Sequence, residues 1–154
     1  MPRVQARRLI PAPLPSVWEA IADLEGAPRW NKAWARVCLV SGPAGEGAVL
    51  RAEDEEGRAS ELQVGAWEPQ RRVAFLPRPS PEEDMDRYWL LLEGQAITLE
   101  PVGEDATLVT IEARARARGL MGLVVGWLLW PGYQRRGLVA ALDGLEALFR
   151  PAEG

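Results

Sequence analysis

The chain has 154 residues, with 18 basic against 22 acidic side chains for a net charge of -4, one cysteine and no histidine. A body of this length buries roughly 70% of its unfolded surface, and 47% apolar with 26% charged residues is a globular rather than a disordered mix. An acidic chain with scattered arginines lacks the concentrated positive field that nucleic acid requires, and without histidine the usual zinc and haem ligands are missing.

Cys38 has no partner for an internal disulfide, no spacing resembles a calcium loop, and MPRVQARRLI lacks the apolar stretch of a signal peptide. The expectations are one domain over residues 1–154, a cytoplasmic location, and no metal or cofactor.

Residues 3–10 alternate as a half-buried strand, with Val4, Ala6 and Ile10 on one side and Arg8 interrupting that side. Pro15 suits a first helical turn, and Val17, Trp18, Ile21 and Leu24 predict a helix over 16–25 that Gly26 closes. APRWNKAW reads as a second helical turn carrying Trp30 and Trp34. Short strands are predicted over 35–41, 47–53, 58–67 and 71–77, and their hairpin-sized links make an antiparallel meander.

The proline- and acid-rich stretch 77–86 reads as a solvated loop, and the following apolar run contains Gly94, which predicts a bulge in a long strand. Residues 107–118 alternate cleanly, with Thr107, Val109, Ile111, Ala113, Ala115 and Ala117 on one face. From Gly119 to Arg150 the spacing is helical, with a stripe of Leu138, Ala141, Leu142, Leu145 and Leu148, and Pro131 kinks or divides the helix.

This order of elements, with IPAPLPSVWEAIADLEGAPRWN at 10–31, WEPQRRVAF at 67–75 and ITLEPVGEDATLVTI at 97–111, resembles the START-like (SRPBCC) superfamily of helix-grip proteins. That superfamily includes polyketide cyclases and dehydrases, lipid-transfer domains and coenzyme-Q-binding proteins. The resemblance implies an α+β fold: a curved six- to seven-stranded antiparallel sheet around a long C-terminal helix, two short helices after the first strand, and a cavity between sheet and helix.

The residues nominated for a hydrophobic ligand follow from this. Ala113 and Ala115 are too small to fill the space beneath a bulky helix. Leu123, Trp127, Trp130 and Tyr133 lie in the half of the long helix that roofs the cavity in that family, and the rings equally suit a plain core. Trp30 and Trp34 stand near the expected mouth, or plug the end of the sheet. Arg8 is read either as a partner for a ligand carboxylate or as one half of an ion pair with a neighbouring glutamate.

No catalytic residue is nominated. Glu61, Tyr88 and Tyr133 are candidate acids or bases outside any motif, the serines have no histidine to activate them, and Cys38 reads as a buried inert thiol. Three functions stand side by side: carriage of a lipid, isoprenoid, quinone or polyketide-like molecule; a cyclase or dehydrase with a Glu or Tyr acid/base; and a quinone or lipid chaperone docking peripherally on membranes through 120–136. Eleven small or apolar residues at 120–130 are too few to span a bilayer, which takes about 20. Oligomeric state is left open.

Overall fold

A computed structural model describes residues 3–78, 90–117 and 119–150; within the last two segments the side chains of 90–92, 123, 125 and 126 are outside the description. Tyr88, most of the acid-rich stretch 77–86 and the side chain of Leu123 therefore lie outside the described residues.

Strand β1 (Arg3–Ile10) leads into helix α1 (Leu14–Ala22) and a 3-10 segment (Leu24–Arg29). Strands β2 (Arg36–Ser41), β3 (Val49–Glu53), β4 (Ala59–Glu68), β5 (Arg72–Arg78), β6 (Leu90–Val102) and β7 (Ala106–Ala117) follow. Helix α2 (Gly119–Val124), a π-helical turn (Val125–Leu129) and helix α3 (Trp130–Leu148) close the chain.

The seven strands form one antiparallel sheet in the order β1-β7-β6-β5-β4-β3-β2, a sequential meander whose last strand is joined by the first. The helix-grip architecture inferred from the sequence is the one observed. The Gly94 irregularity is present, since the register of β6 against β7 shifts between Leu92 and Gly94. A methyl group at Gly94 would stand 2.8 Å from the carbonyl oxygen of Phe75, so the bend needs the missing side chain.

Two local expectations are corrected. Helix α1 ends at Ala22, and Gly26 sits inside the 3-10 segment, where Pro28 and the Asp23–Arg29 ion pair (3.1 Å) shape the turn. Cys38 is exposed, because β2 is an edge strand that turns Val37 inward and Cys38 outward.

The core lies between the concave sheet face and the helices. Thr107, Val109, Ile111, Ala113 and Ala115 of β7 are all buried, and the Thr107 hydroxyl donates a 2.9 Å hydrogen bond to the Ala12 carbonyl. Leu138, Ala141, Leu142 and Leu145 form the buried stripe of α3, while Leu148 reaches the surface. Truncating a fully buried leucine such as Leu142 or Leu145 to alanine costs about 2–5 kcal/mol by the usual cavity rule. Trp18 packs edge-to-face on Trp67, ring centroids 5.2 Å apart, at the margin of this core.

One contact seats α3. A methyl at Gly144 would collide with the carbonyl oxygen of Trp30 and stand 2.9 Å from its carbonyl carbon, whereas a methyl at Gly137, two turns earlier, meets nothing within 4 Å. Gly144→Ala is therefore expected to lower stability by about 1–3 kcal/mol despite the better helix propensity of alanine. Gly137→Ala should raise it by roughly 0.5–1 kcal/mol. Urea unfolding of the two variants checks the pair; equal effects of the same sign would contradict the seating.

Candidate functional site

A cavity of about 140 Å³ lies between the sheet, the 3-10 segment and α3. Its floor comes from alternate residues of the sheet, including Val37, Leu50, Ala52, Leu62, Phe75, Ile97 and Ile111. Ile21 and Leu24 approach from the α1 end, and Leu138 and Ala141 from α3. The hollow exists because small residues meet there from separate elements: Ala27, Ala52, Ala141 and Gly137 each leave volume that a larger side chain would fill. Gly137 is exposed and Gln134 half-buried, so the opening lies along α3.

Polar groups are few. Asn31, Gln95 and Gln134 contribute side-chain amides, and no ionisable side chain lines the cavity among the described residues. Trp30 and Trp34 both line it. Trp30 is 4% exposed, and its indole N–H is buried with no hydrogen-bond acceptor among the described residues.

The other nominated residues stand elsewhere. Ala113 and Ala115 are completely buried and are not among the residues that line this cavity. Trp130 is half-buried against the core, while Trp127 is 58% and Tyr133 76% exposed. The π turn at Val125–Leu129, with its wider helical repeat, puts Trp127 out of α-helical phase with Trp130; Trp130 and Tyr133 share α3, where residues three apart stand about 60° off one another, and Tyr133 falls on the exposed side. Glu61 is exposed as well.

Arg8 is also absent from the cavity wall. Its guanidinium spans Glu146 and Asp143 of α3, at 2.6 Å each, which resolves the charge on the inward face of β1 as an ion pair. The hydrogen bond from Arg8 holds the Glu146 carboxyl below its ordinary range, opposed by partial desolvation and helped by Arg150.

The sequence pattern is matched over residues 1–150 by the family model described as polyketide cyclase / dehydrase and lipid transport. The chain belongs to that family. No curated protein matches it. Several solved structures share the fold: an uncharacterised protein from Bacillus thuringiensis superposes with a TM-score of 0.73 at 13% identity, covering 96% of this chain and 98% of that one. The di-domain ARO/CYC protein BexL from the BE-7585A biosynthetic pathway gives 0.75 at 19% identity, over 98% of this chain and 48% of that one. A START superfamily protein from Mycobacterium smegmatis gives 0.69 at 18%, over 96% and 99%. At these identities the likeness carries the fold alone.

The cavity lies between sheet and C-terminal helix, where the resemblance implied one, and Trp30 and Trp34 line it; its other wall residues were not legible because the small ones are scattered along the chain. The Arg8 pair generates a pH prediction. A carboxyl depressed in the folded state stabilises above its ordinary pKa, near 4.5, and that contribution fades as pH falls through the folded value. Glu146→Gln should therefore lower Tm by a few degrees at pH 7, and the gap to the unsubstituted protein should close toward pH 3. Thermal scans across pH 3–7 check this; a constant gap would contradict it.

Proposed function

We propose that this family member binds and carries a hydrophobic small molecule in the cavity between sheet and α3. The single supporting observation is the wall itself: apolar side chains and neutral amides around about 140 Å³, with an opening beside Gly137. A pocket of that make-up gains affinity by desolvating apolar surface and uses its few polar groups to orient the guest.

The enzymatic alternative, a cyclase or dehydrase working through Glu or Tyr, needs a titratable group within hydrogen-bond reach of the guest. Glu61 and Tyr133 are on the surface, and the described lining residues include no carboxylate, tyrosine, lysine or arginine. Carriage is the reading that this favours.

Native mass spectrometry of protein purified from its own host tests it directly, with extraction of the retained molecule. Gly137→Leu adds a side chain at the mouth where a Cβ meets nothing within 4 Å. The expected outcome is loss of the adduct with Tm held within a few degrees; an empty protein that also takes up no quinone or fatty-acid probe would sink the proposal.

A second reading, delivery to or from a membrane, is favoured by one specific surface. Leu120, Leu128, Leu129 and Tyr133 are each two-thirds or more exposed, with Trp127 beside them in sequence and Arg135 and Arg136 immediately after. Residues 113–142 hold five arginines and no acid, so the other 124 residues carry a net -9 of the total -4. Rings at headgroup depth followed by cations is the arrangement an interfacial segment uses, although no described helix is long and apolar enough to cross a membrane. Each arginine near an anionic surface contributes about 1 kcal/mol. Cosedimentation with phosphatidylglycerol vesicles should exceed that with phosphatidylcholine, and Arg135→Glu with Arg136→Glu should cut it at least about tenfold. Equal binding to both vesicle types would count against the reading.

A further inference from the structure

A void survives in a protein core only where the elements around it are kept apart, because small side chains otherwise let their neighbours close in. Two features keep α3 off the sheet. Leu138, Leu142 and Leu145 are buried on the inward face of the helix, and Ala141, standing among them, carries a side chain too short to reach as far. The backbone stop of Gly144 against Trp30, with Arg8 of β1 held at 2.6 Å by both Asp143 and Glu146, fixes the height of that stretch of helix.

The sheet side has the same form. On β3, Leu50 and Ala52 are two residues apart and so share a face, and Val37 of β2 is the register partner of Ala52. All three are buried and line the cavity, which makes Ala52 a notch in a row of larger side chains. Ala27 of the 3-10 segment lines it from a third element.

The void left at these notches measures about 140 Å³. An apolar cavity of roughly 150 Å³ accepts benzene, so the enclosed space holds about one ring. Resting on the carriage reading above, we infer that the guest is a compact apolar molecule built on a single ring, and that Ala52 and Ala141 are the positions that set this limit. Selection is by volume. A larger side chain at either position takes the place of the guest, and a second fused ring meets walls that the Gly144 stop and the neighbouring leucines hold in place.

Toluene and naphthalene, titrated into the full chain and followed by amide resonances, test the limit. Naphthalene has the larger apolar surface and would bind more tightly to any site that admits both. Toluene is expected to bind more tightly, and the reverse order overturns the inference. That ranking is read on the unsubstituted protein and needs no variant.

Ala141→Leu and Ala52→Val test the positions. In a closely packed core an added side chain strains its neighbours and lowers stability, whereas in a void it fills space and raises it. Each variant is expected to melt a few degrees above the unsubstituted protein in the absence of guest, and to bind toluene at least about tenfold more weakly. Melting temperatures that fall while toluene affinity is unchanged overturn the assignment of these positions. If neither probe binds while protein from its own host retains a larger molecule, carriage stands and this inference fails. If neither binds and the host-purified protein is empty, carriage itself fails and takes this inference with it.

Discussion

The backbone of α3 touches the backbone of the segment carrying Trp30, and the rest of the arrangement follows from that seat. At Gly144 no side chain separates the two, while at Gly137 a Cβ would meet open space. Seven residues of α-helix span about 10 Å, so over that distance the gap between helix and body goes from none to enough for a guest. The stripe of Leu138, Ala141, Leu142 and Leu145 holds the helix along this line. A helix clamped at one end and relieved at the other explains how a domain of this size keeps a hollow without losing its core.

Much of the fold was legible because it is written in short-range periods. The alternation of 107–118, the helical stripe of α3 and the bulge at Gly94 each depend on residues close together in sequence, and hairpin-sized links leave an antiparallel meander as the natural product. The cavity depends on no such period. Ala27, Ala52, Gly137 and Ala141 come from four places in the chain, and only the folded topology brings their missing volume together. Ala113 and Ala115 looked like the natural gap because they are consecutive inward positions, yet small inward residues let neighbours close in as readily as they leave a void. Two other departures have equally local causes. One π turn put Trp127 out of phase with Trp130, and Cys38 sits on an edge strand with apolar residues on both faces, so alternation does not tell inside from outside.

Charge divides the last helix in the same place that packing does. Up to Leu142 the segment from Ala113 holds only arginines among its charged residues; from Asp143 onward come the acids that grip Arg8. The acidic end ties α3 to β1, and the arginine-bearing end is the one next to the exposed apolar side chains and the cavity mouth. The partial burial of the Arg8 charge is tolerated because two carboxylates meet it. The ion pair thus removes a candidate ligand contact and supplies an anchor.

The neutrality of the cavity bears on where this protein falls within a family whose description joins cyclisation to transport. Proton transfer needs a group whose pKa lies near the working pH and whose proton can reach the guest. Indole and carboxamide groups do not ionise in that range, so among the described lining residues the polar ones, Trp30, Asn31, Gln95 and Gln134, neither pass a proton to a guest nor take one away. Orientation alone lowers the barrier of a reaction whose chemistry the guest already contains, but it gives a stable guest nothing to do except stay and leave. For a guest of that kind a neutral wall is what the carriage proposed above requires.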